Sequence, residues 1–361
     1  MMAAASTAAA QTASANGILR TLSLAIIRPV PPGNGSRSFK EQAGYRRPAK
    51  TSPRLRRKLP RSCARTIPPY RELTCIVASE LSETQICDRV FAWTAGGDTI
   101  QTSYGTNCVG VLGADAVLVI DPLISPAFAR QVQAAVRRRT NAPVRFVVFT
   151  HHHTDHTWGA SVFAGESATI VAHRACRERM VEEHPAILES RQRQPELADL
   201  VAETVLVLPQ VTYDQALVLH LGDLELELWH PGWAHTPGDT FLFLPDQRVA
   251  VCGDLVFEGY HYNYEDASVR GVRQGLRALE ALDADVFVPG HGAAGGPDLL
   301  SHQAAYHDAV ERIVAAGVEA GRDDALIAAD IHAQFPDYGL GVVVPSAVAK
   351  FKAHRANAQS K

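Results

Sequence analysis

Directly after the apolar run 144–149 the chain reads Thr150-His151-His152-His153-Thr154-Asp155-His156, four imidazoles and a carboxylate within six positions. A β-strand presents residues i and i+2 on one face, so His151 and His153 can converge on one ion as the chain leaves a sheet. Asp155 and His156, on the turn that follows, can point toward a second. Imidazole nitrogen and carboxylate oxygen are the donors that zinc and other borderline first-row cations take. A low-complexity histidine tract suits a solvated tail and does not suit the end of a buried strand. The same alternation turns His152 away from its neighbours, and it is read as a non-ligand.

The flanking sequence alternates strand and helix. Residues 106–112 and 116–120, joined by Gly113-Ala114-Asp115, predict a β-hairpin that ends at Asp121-Pro122. Helix is expected over 125–138, and strands over 144–150 and 169–172. The stretch 174–203 is polar, helix-favouring and divided by Pro185 and Pro195. It reads as a helical insertion, either a lid over the site or a solvated excursion. Strands recur at 216–221, 224–230, 240–244, 249–252 and 285–288. Helices are expected near 268–282 and 297–319, followed by a C-terminal helical tail over 321–361.

The formal charge of -3 hides a division: residues 1–70 hold thirteen Lys or Arg against the single acid Glu41, and the remaining 22 basic and 37 acidic residues give 71–361 a charge of -15. An acidic body argues against a nucleic-acid partner. Residues 1–80 open on Ala, Ser and Thr and then mix Arg clusters with Pro, without hydrophobic periodicity, as a disordered basic extension does. This composition fits an organellar transit peptide, and equally a stretch translated from an upstream start codon; it lacks the unbroken apolar region of a secretory signal. The expected location is therefore cytoplasmic, or organellar if the extension is a transit peptide. The best candidate for a membrane span, 18–30, is short and carries Arg20 and Arg28. The six cysteines, Cys63, Cys75, Cys87, Cys108, Cys176 and Cys252, form no C-x-x-C pair and are read as reduced thiols. Cys108 and Cys252 sit in apolar runs as small buried hydrophobes.

His151-x-His153-x-Asp155-His156 resembles the signature of the metallo-β-lactamase superfamily, and further motifs follow in that family's order. Asp121, ending an apolar strand, matches the first. Ala234-His235-Thr236-Pro237-Gly238-Asp239-Thr240 resembles the third, Gly253-Asp254-Leu255-Val256-Phe257 the fourth, and Pro289-Gly290-His291-Gly292 the fifth. The resemblance covers about 85–315. It implies a mixed α/β (α+β) chain folded as a four-layer αββα sandwich over 85–320, with metals at one edge. It further implies that His151, His153 and His235 hold one metal and Asp155, His156 and His291 a second, with Asp254 between them. Two zinc ions per chain are expected, with iron or manganese as alternatives. Asp121 is read as a group that bonds backbone or a ligand histidine.

The activity implied is a metal-dependent hydrolase that cleaves an ester, thioester or lactone of a small molecule with a metal-bound hydroxide and no Ser or Cys nucleophile. Asp155 is the expected catalytic carboxylate, orienting the nucleophile or passing its proton to the leaving group. The commonest class B β-lactamases carry a Cys where this chain has Asp254, and Cys252 lies two positions early, on the same strand face if alternation holds. The Asp pattern resembles glyoxalase II-like thioesterases and lactonases. Alternatives are class B β-lactamase-like lactam hydrolysis and persulfide dioxygenase-like chemistry at one iron; retention of His156, Asp254 and His291 favours two metals. A non-catalytic binding module would be expected to lose ligands, and none is missing. Tyr260, His261, Tyr262 and Asn263 in the loop 257–266 are candidate substrate contacts, and Trp158, Phe163 and Trp233 candidate walls. His173, His184 and His230 are read as surface or packed imidazoles. The oligomeric state is open.

Overall fold

The protein is described here by a computed structural model that covers residues 79–359. The extension expected over 1–80 lies, except for Ser79 and Glu80, outside the described residues, as do Cys63 and Cys75. Seven strands form one sheet in sequence order: β1 (Ser82–Cys87), β2 (Val90–Thr94), β3 (Cys108–Leu112), β4 (Val117–Ile120), β5 (Val144–Val148), β6 (Thr169–His173) and β7 (Val211–Tyr213). The first four form an antiparallel meander, and β4 to β7 pair in parallel. A second sheet contains β8 (Ala216–Leu221), β9 (Leu224–Trp229), β10 (Phe241–Leu244), β11 (Val249–Phe257) and β12 (Val286–His291), in the order β12-β11-β10-β9-β8. Only β11 and β12 are parallel there. The hairpin expected over 106–120 is β3 with β4, Val111 opposite Leu118.

Strand periodicity builds the layers. Val90 and Ala92, Val109 and Val111, and Leu118 and Ile120 face the second sheet, where they meet Leu226, Leu228, Leu242 and Val251 in one buried cluster. Their neighbours Phe91, Trp93, Cys108, Val117 and Val119 point the other way, onto α1 (Pro126–Arg139) through Phe128, Val132 and Val136. Phe241, Phe243, Ala250 and Phe287 cover the outer face of the second sheet against Leu276 and Leu279 of the later helix Val269–Glu280. Period-2 burial on both faces of both sheets is what a four-layer αββα sandwich requires.

The chain between β5 and β6 contributes two single turns, α2 (Thr154–Thr157) and α3 (Ser161–Ala164). The polar insertion folds as α4 (Arg174–Gln192) and α5 (Pro195–Val201). Pro195 starts α5, but Pro185 does not divide α4. It lies on the exposed side, where water can satisfy the carbonyl its missing N–H abandons. After α6 (Val269–Glu280) come α7 (Asp298–Glu319), α8 (Asp324–Gln334) and α9 (Val344–Gln359). Val310, Val314, Ile327, Ile331, Val348 and Phe351 of these last three helices share a buried cluster with Tyr262 and Tyr264 of the loop after β11. The C-terminal tail is thus packed against the segment that follows the fourth motif.

Three strands escape sequence reading. β1 is largely exposed and polar, β7 has only three residues, and β2 is buried throughout except at Thr94, so none shows a useful alternation. No described helix is long and apolar enough to cross a membrane. The layered core predicts that Leu118→Ala, at a fully buried position between the sheets, lowers unfolding free energy by about 2–5 kcal/mol. Val218→Ala, on the partly exposed edge strand β8, should cost under about 1 kcal/mol in the same denaturant titration.

Candidate metal centre

The seven residues singled out as ligands come from five places where chain leaves or kinks a strand. His151 and His153 follow β5, Asp155 and His156 lie on α2, His235 lies in the β9–β10 connection, Asp254 sits within β11, and His291 ends β12. The pleat is not what joins His151 to His153, because β5 stops at Val148. The chain bends instead into α2, with His153 in the N-cap position at φ -60° and ψ 148°. Gly253 has φ +52°, and a Cβ there would meet the Thr150 side chain at 2.6 Å. That backbone conformation, accompanied by register shifts on either side of Gly253, breaks the alternation of β11. Cys252 therefore packs among Ala234, Leu255 and Leu276 rather than beside Asp254, and burial pushes its thiol pKa up. Gly290 is required for another reason: a Cβ would collide with the Asp254 carboxylate.

Three groups of converging donor atoms result among the described residues, and His153 belongs to two of them. His151, His153, His235 and Asp254 offer one set within 4.8 Å of one another, and Asp155, His156 and His291 another. Asp254 touches both: Oδ1 lies 3.3 Å from His156 Nε2, while Oδ2 lies 3.3 Å from both His235 Nε2 and His291 Nε2 and 3.6 Å from His151 Nε2. Asp155 Oδ2 is 3.4 Å from His156 Nε2 and 3.6 Å from His291 Nε2. Buried His151 Nε2, His156 Nε2 and Asp254 Oδ1 have no hydrogen-bond partner. Buried polar atoms of native proteins are normally satisfied, so donors aimed at one another across empty bonds mark a cation's seat. The donor chemistry and the pairing of the groups fit a dinuclear metal site.

Surrounding groups fix the rings. Asp121, in the left-handed region at φ 53°, accepts from Thr150 N at 2.8 Å and Thr150 Oγ1 at 2.6 Å, and its Oδ2 lies 2.8 Å from His156 Nδ1. This is the supporting role expected of it. His153 turns Nδ1 toward His235 Nε2, 3.1 Å away, while its Nε2 meets Asp266 Oδ2 at 3.1 Å. His291 Nδ1 donates to the Tyr104 carbonyl at 2.9 Å, and Thr106 Oγ1 donates to Asp155 Oδ2 at 2.6 Å. Asp239 accepts from the Thr236 and Ala234 amides and so shapes the loop that carries His235; burial pushes its carboxyl up to about 7. Burial and neighbouring imidazoles hold the pKa of His151 well below the usual histidine range, and burial takes His235 down to about 3. Both rings are thereby kept in the neutral, metal-binding form. For His156 burial opposes protonation, but Asp254, Asp155 and Asp121 outweigh it and raise the pKa well above the ordinary value. A cation at Nε2 would answer Asp254 and Asp155, while Asp121 holds the opposite ring nitrogen.

His152 is buried and belongs to neither of these two sets; its Nε2 lies 3.2 Å from Glu183 Oε2 and 3.6 Å from Asp266 Oδ2, and with His153 and Asp266 it makes the third group of possible ligands, on the same cleft. His184 Nε2 donates to the His152 carbonyl at 2.6 Å and its Nδ1 accepts from Trp158 Nε1, so it is a packed imidazole tying α4 to the ligand loop. His173 and His230 stack on each other at 3.8 Å. Of the four loop candidates only Asn263 lines the cleft over the centre, a cavity of about 470 Å³. The Tyr260 hydroxyl donates to the Gly97 carbonyl, and His261 and Tyr262 are buried beside Tyr306. Trp158 and Phe163 belong to the core, while exposed Trp233 donates to the Asp266 carbonyl. The cleft is also lined by Arg179, Glu183, Ile187 and Arg191 of α4, within the stretch read as a lid or a solvated excursion, and by Tyr104, Leu340, Val342 and Val343, which the sequence did not single out. The insertion is thus a wall of the cleft rather than a solvated excursion. Only α4's polar character hinted at this; nothing local marks Tyr104 or the C-terminal valines.

Residues 102–291 match the model of the metallo-beta-lactamase superfamily. The chain is 29% identical over 185 residues to the 2,4-dinitroanisole O-demethylase subunit alpha of Nocardioides sp. (strain JS1661), a stretch covering 51% of each protein. It is 23% identical over 212 residues to the linear primary-alkylsulfatase of Pseudomonas sp. (strain ATCC 19151), 49% of this chain and 40% of that protein. It spans about half or less of the length of these two relatives. The solved structure of the metallo-beta-lactamase from Pontibacter korlensis shares the fold, with a TM-score of 0.53 at 21% identity over 63% of this chain and 99% of that one.

The support around His156 and Asp254 makes two changes informative. Asp121→Ala should lower metal affinity about 10- to 100-fold in competition with a chromophoric chelator, as loss of an outer partner does. Gly290→Ala should do at least as much by displacing Asp254, and unchanged affinity in both variants would contradict this geometry.

Proposed function

Because this chain belongs to the metallo-beta-lactamase superfamily, we propose that it is a zinc-dependent hydrolase of small-molecule esters, thioesters or lactones. In this reading His151, His153 and His235 hold one zinc, Asp155, His156 and His291 hold the second, and Asp254 bridges. The observation that carries it is the position of Asp254, with one oxygen toward His156 and the other 3.3 Å from His235 and His291. Bound there, a pair of divalent cations would lower the pKa of a shared water from about 15.7 toward about 7 and polarise a carbonyl oxygen.

The protein's own groups supply the remaining work. Asp155, anchored through Oδ2 by Thr106, keeps Oδ1 to orient the attacking water and to carry its proton toward the leaving group. His153 is held by Asp266 so that Nδ1 faces the centre. Cys252 faces the opposite layer and Ser103 is engaged with the Asp155 carbonyl and the Ile124 amide, so neither of these two side chains is poised as a nucleophile among the described residues, which suits direct attack by water. A second reading draws on the relatives: the chain is similar to a 2,4-dinitroanisole O-demethylase subunit and to a linear primary-alkylsulfatase, so an ether or sulfate ester is the competing scissile bond.

Protein purified without added metal should contain about two zinc per chain by elemental analysis. A panel of thioester, lactone, simple ester, β-lactam, aryl methyl ether and alkyl sulfate should show its fastest turnover among the acyl compounds, abolished by a chelator and restored by zinc. Fastest turnover of the ether or sulfate would favour the second reading, and one iron per chain would move the chemistry to a single metal. His153→Ala should lose metal and lower kcat/KM on the order of 100-fold or more; a fully active variant would exclude the proposed role.

A further inference from the structure

Helix α4 turns two arginines toward the cleft, and their surroundings differ. Arg179 is surrounded by carboxylates: it pairs with Glu183, with Asp266 at 3.2 Å and with Glu182 at 3.5 Å. Arg191 makes no ion pair among the described residues. It is half-buried, its guanidinium lies 4.7 Å over the Trp158 ring, and one arm donates to Thr154 Oγ1 at 2.8 Å. Trp158 is itself fully buried and tied to His184. The stacking and the hydrogen bond therefore hold the cation in one place and leave the rest of its donor fork for a ligand.

A charge withdrawn from water without a counter-charge is costly unless something completes it. In an acidic body this is a local exception, since α4's other cleft arginine is over-neutralised. Burial pulls the Arg191 pKa below its ordinary value, and Tyr104 and Asp155, the nearby groups that act the other way, offset that pull only in part. Position matters as much as charge. Thr154, the hydrogen-bond partner, directly precedes Asp155 of the metal centre, and the cleft lining includes both. A group bound at Arg191 would thus share the cleft with Asp155 and Asp254. On the same cleft, Ile187, Leu340, Val342 and Val343 offer an apolar face.

We propose that Arg191 is the anion subsite of the cleft, receiving a carboxylate or comparable oxyanion carried by an organic substrate whose apolar part rests on Ile187 and the 340–343 segment. The ligand's identity as a substrate rests on the hydrolase reading; its binding does not. Guanidinium and carboxylate form paired, charge-assisted hydrogen bonds, so an isosteric neutral amide should bind more weakly.

The test measures binding of naphthalene-2-carboxylate and naphthalene-2-carboxamide to the zinc-loaded full chain by calorimetry. The carboxylate should bind about tenfold more tightly than the carboxamide, and Arg191→Gln should reduce that ratio at least about fivefold. Ile187→Glu places a competing carboxylate one turn before Arg191 and should reduce the ratio similarly; it decides the matter if Arg191→Gln does not fold. A ratio unchanged within twofold in a folded Arg191→Gln protein, or in Ile187→Glu where that variant must decide, overturns the proposal. So does displacement of the naphthoate by inorganic phosphate at concentrations below the naphthoate dissociation constant, which would assign the subsite to a free ion. Absence of zinc-dependent turnover on the substrate panel would leave these ratios untouched, so the two readings fail separately.

Discussion

Asp254 is the hinge of the electrostatics in this protein. Five imidazoles and two carboxylates lie together at the base of the cleft, all but His153 buried, and the carboxylate of Asp254 is the group that reaches both halves of the cluster. Without a cation the arrangement is costly, because ring nitrogens such as His151 Nε2 and His156 Nε2 are buried without a hydrogen bond. Conflicting demands on the imidazoles express the same tension: His151 and His235 are driven neutral by burial while His156 is drawn toward protonation by three carboxylates. Two divalent cations would resolve both at once, matching neutral rings with lone pairs and carboxylates with charge.

The sandwich exists, from the site's point of view, to bring loop ends into that register. Two sheets that bury both faces leave their connections at the edges, and parallel strands bring successive C-terminal ends to the same edge. The ligand loops after β5 and β12 use that edge, and β11 delivers Asp254 there by a kink at Gly253 that a side chain would block. Buttresses then remove the remaining freedom: Asp121 for His156, Asp266 for His153, the Tyr104 carbonyl for His291, and Thr106 for Asp155. Their effect is orientation, which sets metal affinity and chemistry without adding a ligand.

Most of this was legible in the amino-acid order, for identifiable reasons. The alternating run 224–229 declared a half-buried strand and the continuous apolar run 116–120 a fully buried one, and the histidine cluster behind an apolar strand pointed to a metal site. The αββα architecture followed from family motifs and is the architecture observed. What stayed hidden depends on long-range packing. β1 and β7 are too polar or too short to signal themselves, and no local rule places Val342 and Val343, some fifty residues beyond the last motif, on the cleft. The expectation that alternation would align Cys252 with Asp254 failed because one glycine with positive φ inverts the face. The loop tyrosines looked like substrate contacts from composition, yet the C-terminal helices give Tyr262 a hydrophobic cluster to join. Arg191 was invisible for the same reason: only the fold reveals that it lacks the carboxylates that surround Arg179.

These features describe a cluster of donors that fits a dinuclear metal site, beneath a cleft walled by α4 and by the segment before α9. The most direct test of the centre is anomalous diffraction from crystals of the zinc-loaded protein at the zinc edge. Two peaks are predicted, one on either side of the Asp254 carboxylate, the first among His151, His153 and His235 and the second among Asp155, His156 and His291. A single peak, or density centred instead on His152 and Asp266, would contradict the account.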